Sequence, residues 1–311
     1  MINLLESGFN SLRNNSSSSI SISAPRIATS IFVAFFVKRL YKVLYKWGVG
    51  LALDRYQSRL IFYSSRKDKE LYKNFKSDGE YVNVGAGAFK HPYWTNIDYK
   101  GQSKYYQMIQ GKEGVDYINL NLCKENVRLP FDNNSVNLIY CSHTLEHLQT
   151  EHALYFLREA HRILQPGGAI RLVLPDIKAD FEIARIMYIQ LGPQGEQIQK
   201  LFRKISTHML SPTTDINIDE LIFILIENNF DPDKCYPQFQ SICDLRFLEH
   251  RPEQHISFWT HDRLNELSKD LGFNIYMPLY RGSTSVLPFK NIDLFDTTES
   301  HTSIYGEYLK L

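Results

Sequence analysis

Three groups of residues in this chain have the types and spacing to do chemistry. The first is Val84-Gly85-Ala86-Gly87, an apolar run that breaks at two glycines one residue apart, with Asp98 following Gly85 by 13 residues. Glycine is needed where backbone turns tightly and lies close to a ligand. A strand, a Gly-x-Gly turn and an acid at the tip of the next strand make an edge that binds a nucleoside. The turn receives the polar tail and the acid accepts from the ribose hydroxyls. The dinucleotide fingerprint fails, because Lys90 stands where its third glycine belongs and Asp98 comes early. The pattern therefore points away from NAD and toward another nucleoside cofactor. The second group is His143-Thr144-Leu145-Glu146-His147, which reproduces the zinc-hydrolase signature H-x-x-E-H. Zinc would need both histidines on one helical face and a third ligand. His143 directly follows an apolar strand, so no metal is expected from this motif. The third is His255, just ahead of Phe258-Trp259. It is either a structural histidine or a substrate contact, and Phe258 and Trp259 read as core.

The elements that would carry these residues alternate. Strands are expected at Glu80–Val84, Thr95–Asp98, Tyr117–Asn121, Val136–Cys141 and Ala169–Leu174. A helix over Thr150–Leu164 puts Ala153, Phe156, Leu157, Ala160 and Ile163 on one face, and Pro166-Gly167-Gly168 stops it. Such alternation implies a parallel sheet covered on both faces, an α/β fold. Residues 177–258 lose the strand rhythm and read as a helical insertion, with helices at Ala179–Leu191, Gln194–Ser206 and Ile218–Asn228. A helix at Thr260–Leu271 and strands at Asn274–Leu279 and Ser303–Leu311 complete the core, which thus spans 79–176 and 259–311.

The N-terminal part differs. Residues 1–28, with Ser16-Ser17-Ser18-Ser19 at their centre, read as a disordered tail. Residues 29–78 read as a basic helical extension. Leu40, Val43, Leu44 and Trp47 fall at helical spacing opposite Lys38, Lys42 and Lys46. That pattern suits either a helix in a membrane interface or one packed on the core. Four cations within nine residues and no acid favour peripheral contact with anionic lipid through residues 31–47. Bulk composition excludes other classes. A net charge of +1 gives no field for nucleic acid. The four cysteines lack C-x-x-C spacing and read as reduced thiols of a cytoplasmic protein, which the basic segment would hold at the inner face of the membrane. No stretch offers the ~20 apolar residues of a membrane span.

Taken together, Asn83-Val84-Gly85-Ala86-Gly87, Trp94-x-Asn96-Ile97-Asp98, Leu129-Pro130-Phe131-Asp132, Ser142-His143-Thr144-Leu145-Glu146-His147 and Leu164-x-Pro166-Gly167-Gly168 resemble the class I methyltransferases that use S-adenosylmethionine. The resemblance holds over roughly 80–175 and again in the C-terminal helix and strands. It is nearest to a bacterial branch associated with surface-polysaccharide and other sugar modification. It implies a Rossmann-like class I sheet with helices on both faces. It also implies that Asn83, Gly85, Ala86, Gly87, Asp98, Asn121, Leu122 and Ser142 line the cofactor, with Asp98 on the ribose and Asn121 and Leu122 at the adenine edge. Asn83 and Asn121 stand where the family commonly has acids; their amides still hydrogen-bond. The implied reaction is in-line methyl transfer, with His143 or His255 as catalytic base and a small-molecule or glycan acceptor, a sugar hydroxyl first. A lipid-like acceptor is the second reading. A methyltransferase-like domain that binds without turnover is the third, and a zinc hydrolase the fourth.

Overall fold

The computed structural model describes residues 20–23, 43–54, 59–73, 80–87, 89, 91–99, 117–192, 200, 218–242, 255–292, 294–298 and 303–311. At its centre is a seven-stranded sheet. Its strands are β4 (Glu80–Val84), β5 (Trp94–Asp98), β6 (Tyr117–Asn119), β7 (Val136–Ser142), β8 (Leu164–Pro175), β9 (Ile275–Leu279) and β10 (Ser303–Leu309). Their spatial order is β6-β5-β4-β7-β8-β10-β9. The first five pair in parallel, and β10 runs antiparallel between β8 and β9. The order reverses between β4 and β7. In an open parallel sheet, ligands bind at such a switch point, outside the carboxyl ends of the strands. Val84 and Ser142 end those two strands, so the glycine turn and His143 emerge side by side.

Both faces of the sheet are buried, and the two-residue period of a strand sorts side chains between them. Val82, Val84, Ile139, Cys141, Ile170, Leu172, Ile304 and Tyr308 join one core with Phe156, Leu157, Ala160 and Ile163 of α2 (Thr150–Ile163) and Leu264 of α6 (His261–Leu267). Tyr81, Leu138, Tyr140, Ala169, Val173 and Tyr305 face the other way, onto Tyr45, Tyr72, Phe289 and Phe295. Helix α2 was legible from its apolar stripe, and its last turn gives way to β8 at Leu164. Helices α3 (Ile177–Leu191), α4 (Ile218–Glu227) and α5 (Pro232–Ile242) gather Phe181, Leu221, Leu225, Tyr236 and Phe239 into a core of their own, with Phe258. The sequence reading had α3 and α4 within two residues of these bounds but not α5, whose internal Pro237 argues against a helix. The expected helix at Gln194–Ser206 lies outside the described residues, save Lys200.

The N-terminal extension departs from the expectation of a helix over 29–78. Strands β1 (Ile20–Ser23), β2 (Val49–Asp54) and β3 (Arg59–Ser64) form a three-stranded antiparallel sheet in the order β1-β3-β2. The tail reading of 1–28 therefore fails at Ile20–Ser23, which pair with Arg59–Phe62. The rest of residues 1–42 lies outside the described residues. Helical turns occur at 43–46 and in α1 (Ser65–Leu71). Strand β3 carries no two-residue alternation: Leu60-Ile61-Phe62-Tyr63 is an unbroken apolar run, which periodicity alone does not assign to a strand. The expected apolar face is also split: Leu44 is buried, whereas Val43 and Trp47 are exposed. Buried Asp68 anchors the unit. Its carboxylate accepts from Tyr45 Oη and from Asn291 Nδ2 (2.7 Å), and lies 2.8 Å from His91 Nε2.

One buried charge cluster fastens the antiparallel end of the sheet. Arg171 of β8 pairs across the ladder with Glu307 of β10. Its guanidinium donates to Asp296 Oδ2 (2.5 Å) and Glu307 Oε1 (3.2 Å) and to the carbonyls of Ser283 (2.9 Å) and Tyr280 (3.3 Å). All three charged side chains are fully buried. Burial raises the Glu307 pKa, against the pull of its Thr284 hydrogen bond and of Arg171. Removing the cation would strand two acids. Arg171→Met should cost ~3–5 kcal/mol of unfolding free energy, read by urea denaturation; a loss under ~1 kcal/mol would show the cluster to be dispensable.

Candidate functional site

The glycine turn is built by backbone geometry that only glycine adopts freely. Gly85 and Gly87 have φ of +66° and +51°. The amides of Gly85 and Ala86 both donate to the Ile97 carbonyl, at 3.0 and 3.2 Å, which folds the end of β4 over the end of β5. Gly87 N–H then donates to Asp98 Oδ2 at 2.5 Å, and Tyr99 N–H to Asp98 Oδ1 at 2.7 Å. Asp98 is therefore a buried carboxylate that shapes the turn. Asn83 is buried within β4, and Ala86 is buried in the turn. Asn121 and Leu122 follow β6. Asn121 Oδ1 accepts from Cys123 N–H at 2.9 Å, closing a local turn, and Leu122 packs against the core.

A Cβ placed on Gly85 would fall 1.9 Å from Thr144 Oγ1. Thr144 reaches across from the loop after β7, and its hydroxyl donates to the Ser142 carbonyl at 3.2 Å. The cradle thus has a floor of glycine and a wall from the histidine loop. An added side chain would collide with Thr144, so glycine is required here by close packing as well as by its positive φ. The sequence reading missed Thr144, because its contact with Gly85 spans two strands.

Loop 143–148 is held from both sides. His143 has φ of +49°, a left-handed conformation unusual for a non-glycine residue and frequent at functional sites. Its amide donates to the Val173 carbonyl at 2.8 Å, so its ring emerges between β7 and β8. Nδ1 lies 3.1 Å from Glu146 Oε1, and Nε2 lies 3.3 Å from Ser303 Oγ. Ser303 in turn donates to Thr298 Oγ1 at 3.0 Å. Burial of Glu146 would raise its pKa; the contact with His143 and the charges of His143, His147 and His255 outweigh that and hold it down at about 2. Neither Glu146 nor His147 caps the following helix: Gln149 is its N-cap residue, and both side chains turn inward within the loop.

His255 arrives from the segment before α6. Ile256 and Ser257 amides donate to the Glu146 carbonyl at 2.8 and 3.2 Å, and Ser257 Oγ to the Leu145 carbonyl at 2.9 Å. This brings the His255 ring edge-on to His147, with centroids 4.9 Å apart. His255 therefore joins the Glu146 side of the loop, while His143 meets Ser303. Phe258 and Trp259 are core, as their size suggested. Arg281 Nε donates to the Asp296 carbonyl at 2.9 Å, and the Ser283 carbonyl accepts from Arg171 at 2.9 Å. Cys123, Cys141 and Cys235 are free thiols, and burial pushes the Cys141 thiol up. Gly85→Ala should destabilise the fold by ~1–3 kcal/mol through the forced φ and the Thr144 clash, and Thr144→Ala in that background should recover part of it. Equal melting curves for the single and double variants would remove Thr144 as the wall.

A family model described as "Methyltransferase domain" matches residues 86–172, from the glycine turn to the middle of β8. None of the curated proteins matches the chain. Among solved structures, a SAM-dependent methyltransferase from Aquifex aeolicus is 12% identical with a TM-score of 0.35, over 78% of this chain and 89% of that one. A SAM-dependent methyltransferase from Thermotoga maritima, described as a possible histamine N-methyltransferase, is 13% identical with a TM-score of 0.36, over 79% and 89%. One from Archaeoglobus fulgidus is 11% identical with a TM-score of 0.37, over 79% and 92%. Likenesses this remote say nothing of the acceptor. The matched stretch and the sheet order agree: residues 86–172 match a methyltransferase domain and lie on a Rossmann-like α/β sheet.

Proposed function

We propose that this chain is a methyltransferase that uses S-adenosylmethionine and acts on a hydroxyl group, a sugar hydroxyl of a glycan or glycolipid in the first place. The observation that carries the reading is the His143–Glu146 pair at the carboxyl end of β7, 3.1 Å apart. An alcohol must lose its proton as it is methylated, so it gains from a base in reach. A neutral amine, whose lone pair is already available, has less need of one. The other ring nitrogen, Nε2, lies 3.3 Å from Ser303 Oγ, whose proton goes to Thr298, so an acceptor hydroxyl would take the place of Ser303 there. Buried Glu146 would orient the imidazole and balance the charge it acquires. The sugar class rests on the sequence resemblance.

The cofactor supplies an electrophilic methyl group on a sulfonium. Gly85, Ala86 and Gly87 would hold its amino-acid tail, Asp98 its ribose, and Asn121 and Leu122 its adenine, with Asn83 and Ser142 at the ends of β4 and β7. What the protein contributes to transfer is alignment of donor and acceptor together with removal of one proton. Helices α3 to α5 are the proposed cover of the acceptor. A lipid-linked acceptor is the second reading, favoured by Trp47, 69% exposed beside exposed Lys46 and Val43. Among the described residues no helix is long and apolar enough to cross a membrane. Contact would then be at the surface, through residues 31–47, mostly outside the described residues.

Asp98→Ala should weaken binding of the demethylated cofactor by about tenfold or more, since a charge-assisted pair of hydrogen bonds is lost. Calorimetry on a folded variant checks this, and unchanged affinity would remove Asp98 from the site. His143→Ala should lower kcat on a hydroxyl acceptor by roughly 10²–10⁴-fold while leaving cofactor affinity near wild type. A panel of sugar, glycolipid and amine acceptors reads the class. Turnover on amines alone, indifferent to His143, would sink the hydroxyl reading.

A further inference from the structure

We propose that Glu146, His147 and His255 form a binding site for a divalent transition-metal ion of the zinc class. The three side chains offer ligand atoms that all lie within 4.8 Å of one another. Around a tetrahedral zinc with bonds of about 2.0–2.2 Å, such atoms sit roughly 3.3–3.6 Å apart. The gap is at most about 1.2–1.5 Å, within reach of rotation of the two half-buried imidazoles. Two imidazoles and one carboxylate are a donor set that zinc and its neighbours accept, whereas magnesium and calcium prefer oxygen throughout.

A second observation points to a missing cation. Glu146 is 2% exposed; Oε1 meets His143 Nδ1 at 3.1 Å, whereas Oε2 has no hydrogen-bond partner among the described residues. His147 Nε2 stands 4.0 Å from Oε1, at ion-pair range only. Buried carboxylates ordinarily accept several hydrogen bonds or coordinate a metal. The backbone around the cluster is already fixed. Ile256 and Ser257 bond to the Glu146 carbonyl, Trp259 Nε1 donates to Ser257 Oγ at 3.0 Å, and Tyr236 Oη donates to the Ser257 carbonyl at 3.1 Å. His255 is thus presented to Glu146 by the segment between α5 and α6, not by chance of an exposed rotamer.

The ligand pair differs from the one the H-x-x-E-H motif suggests. His143 sits on the strand side with its left-handed backbone and reaches Glu146 from outside the cluster, as a supporting partner. His147 pairs instead with His255, distant by 108 residues in sequence. Three protein ligands leave a coordination position open, which is the pattern of a catalytic rather than a closed structural ion. The inference does not depend on the acceptor assigned above, because binding is read without cofactor or acceptor.

The full chain, stripped with a chelator and dialysed, is titrated with zinc chloride by calorimetry, and retained metal is measured by elemental analysis. One zinc per chain is expected. Loss of a supporting partner alone weakens metal sites about 10–100-fold, so Glu146→Gln, His147→Asn and His255→Asn should each weaken binding about tenfold or more. Circular dichroism checks their folding, and His255→Asn, half-buried and outside the sheet, is the variant least exposed to misfolding. Cobalt in place of zinc should give visible absorption without a thiolate charge-transfer band, which excludes the cysteines. No retained zinc, or zinc bound equally by wild type and His255→Asn, would overturn the proposal, as would binding of magnesium in preference to zinc.

Discussion

The hydrogen bond from Gly87 N–H to the Asp98 carboxylate is the contact on which the site's shape depends. It joins the turn after β4 to the tip of β5 at 2.5 Å, and it works only because Gly87 takes a left-handed backbone. An acid that merely waited for a ribose would leave the turn unsupported. Here the same carboxylate holds the turn in place. Two amides donating to Ile97 complete the fold-over. The turn is therefore organised before any ligand arrives, and ordering cost is not charged to binding.

That turn would have no wall without the loop after β7. Thr144 presses against Gly85, and the parallel pairing of β4 with β7 fixes the distance between them. The same loop carries His143, Glu146 and His147, so cofactor cradle and acid–base groups share one short segment. Its left-handed His143 and buried, under-bonded Glu146 are costly features in the same place. Local strain and unsatisfied charge of this kind persist where the surroundings over-determine them, which is characteristic of functional sites. The surroundings here are the sheet on one side and the Ile256–Trp259 segment on the other.

The opposite end of the sheet is held by different physics. Arg171, Asp296 and Glu307 are buried charges, matched across the β8–β10 ladder and backed by carbonyls. The cluster specifies how the antiparallel strand docks rather than adding much net stability, since desolvation offsets most of the attraction. The docking matters for the site: Ser303, at the start of β10, is the residue that meets His143 Nε2.

The sequence alone determined the strands of the parallel sheet, helix α2, the glycine turn and the acid after it. These are local signals, a two-residue or 3.6-residue period followed by a residue that breaks it. Composition and spacing also separated the turn from a dinucleotide motif. Tertiary structure decided everything that depends on residues far apart in the chain. It placed Thr144 on Gly85, set Ser303 against His143, and brought His255 to Glu146 and His147. It turned the expected helical extension into a small antiparallel sheet with α1, because strand pairing between Ile20–Ser23 and Arg59–Phe62 is invisible to any local window. The physical reason is the same in each case: a motif records what the backbone does over a few residues, whereas a site is assembled by the packing of elements whose contacts no local period encodes.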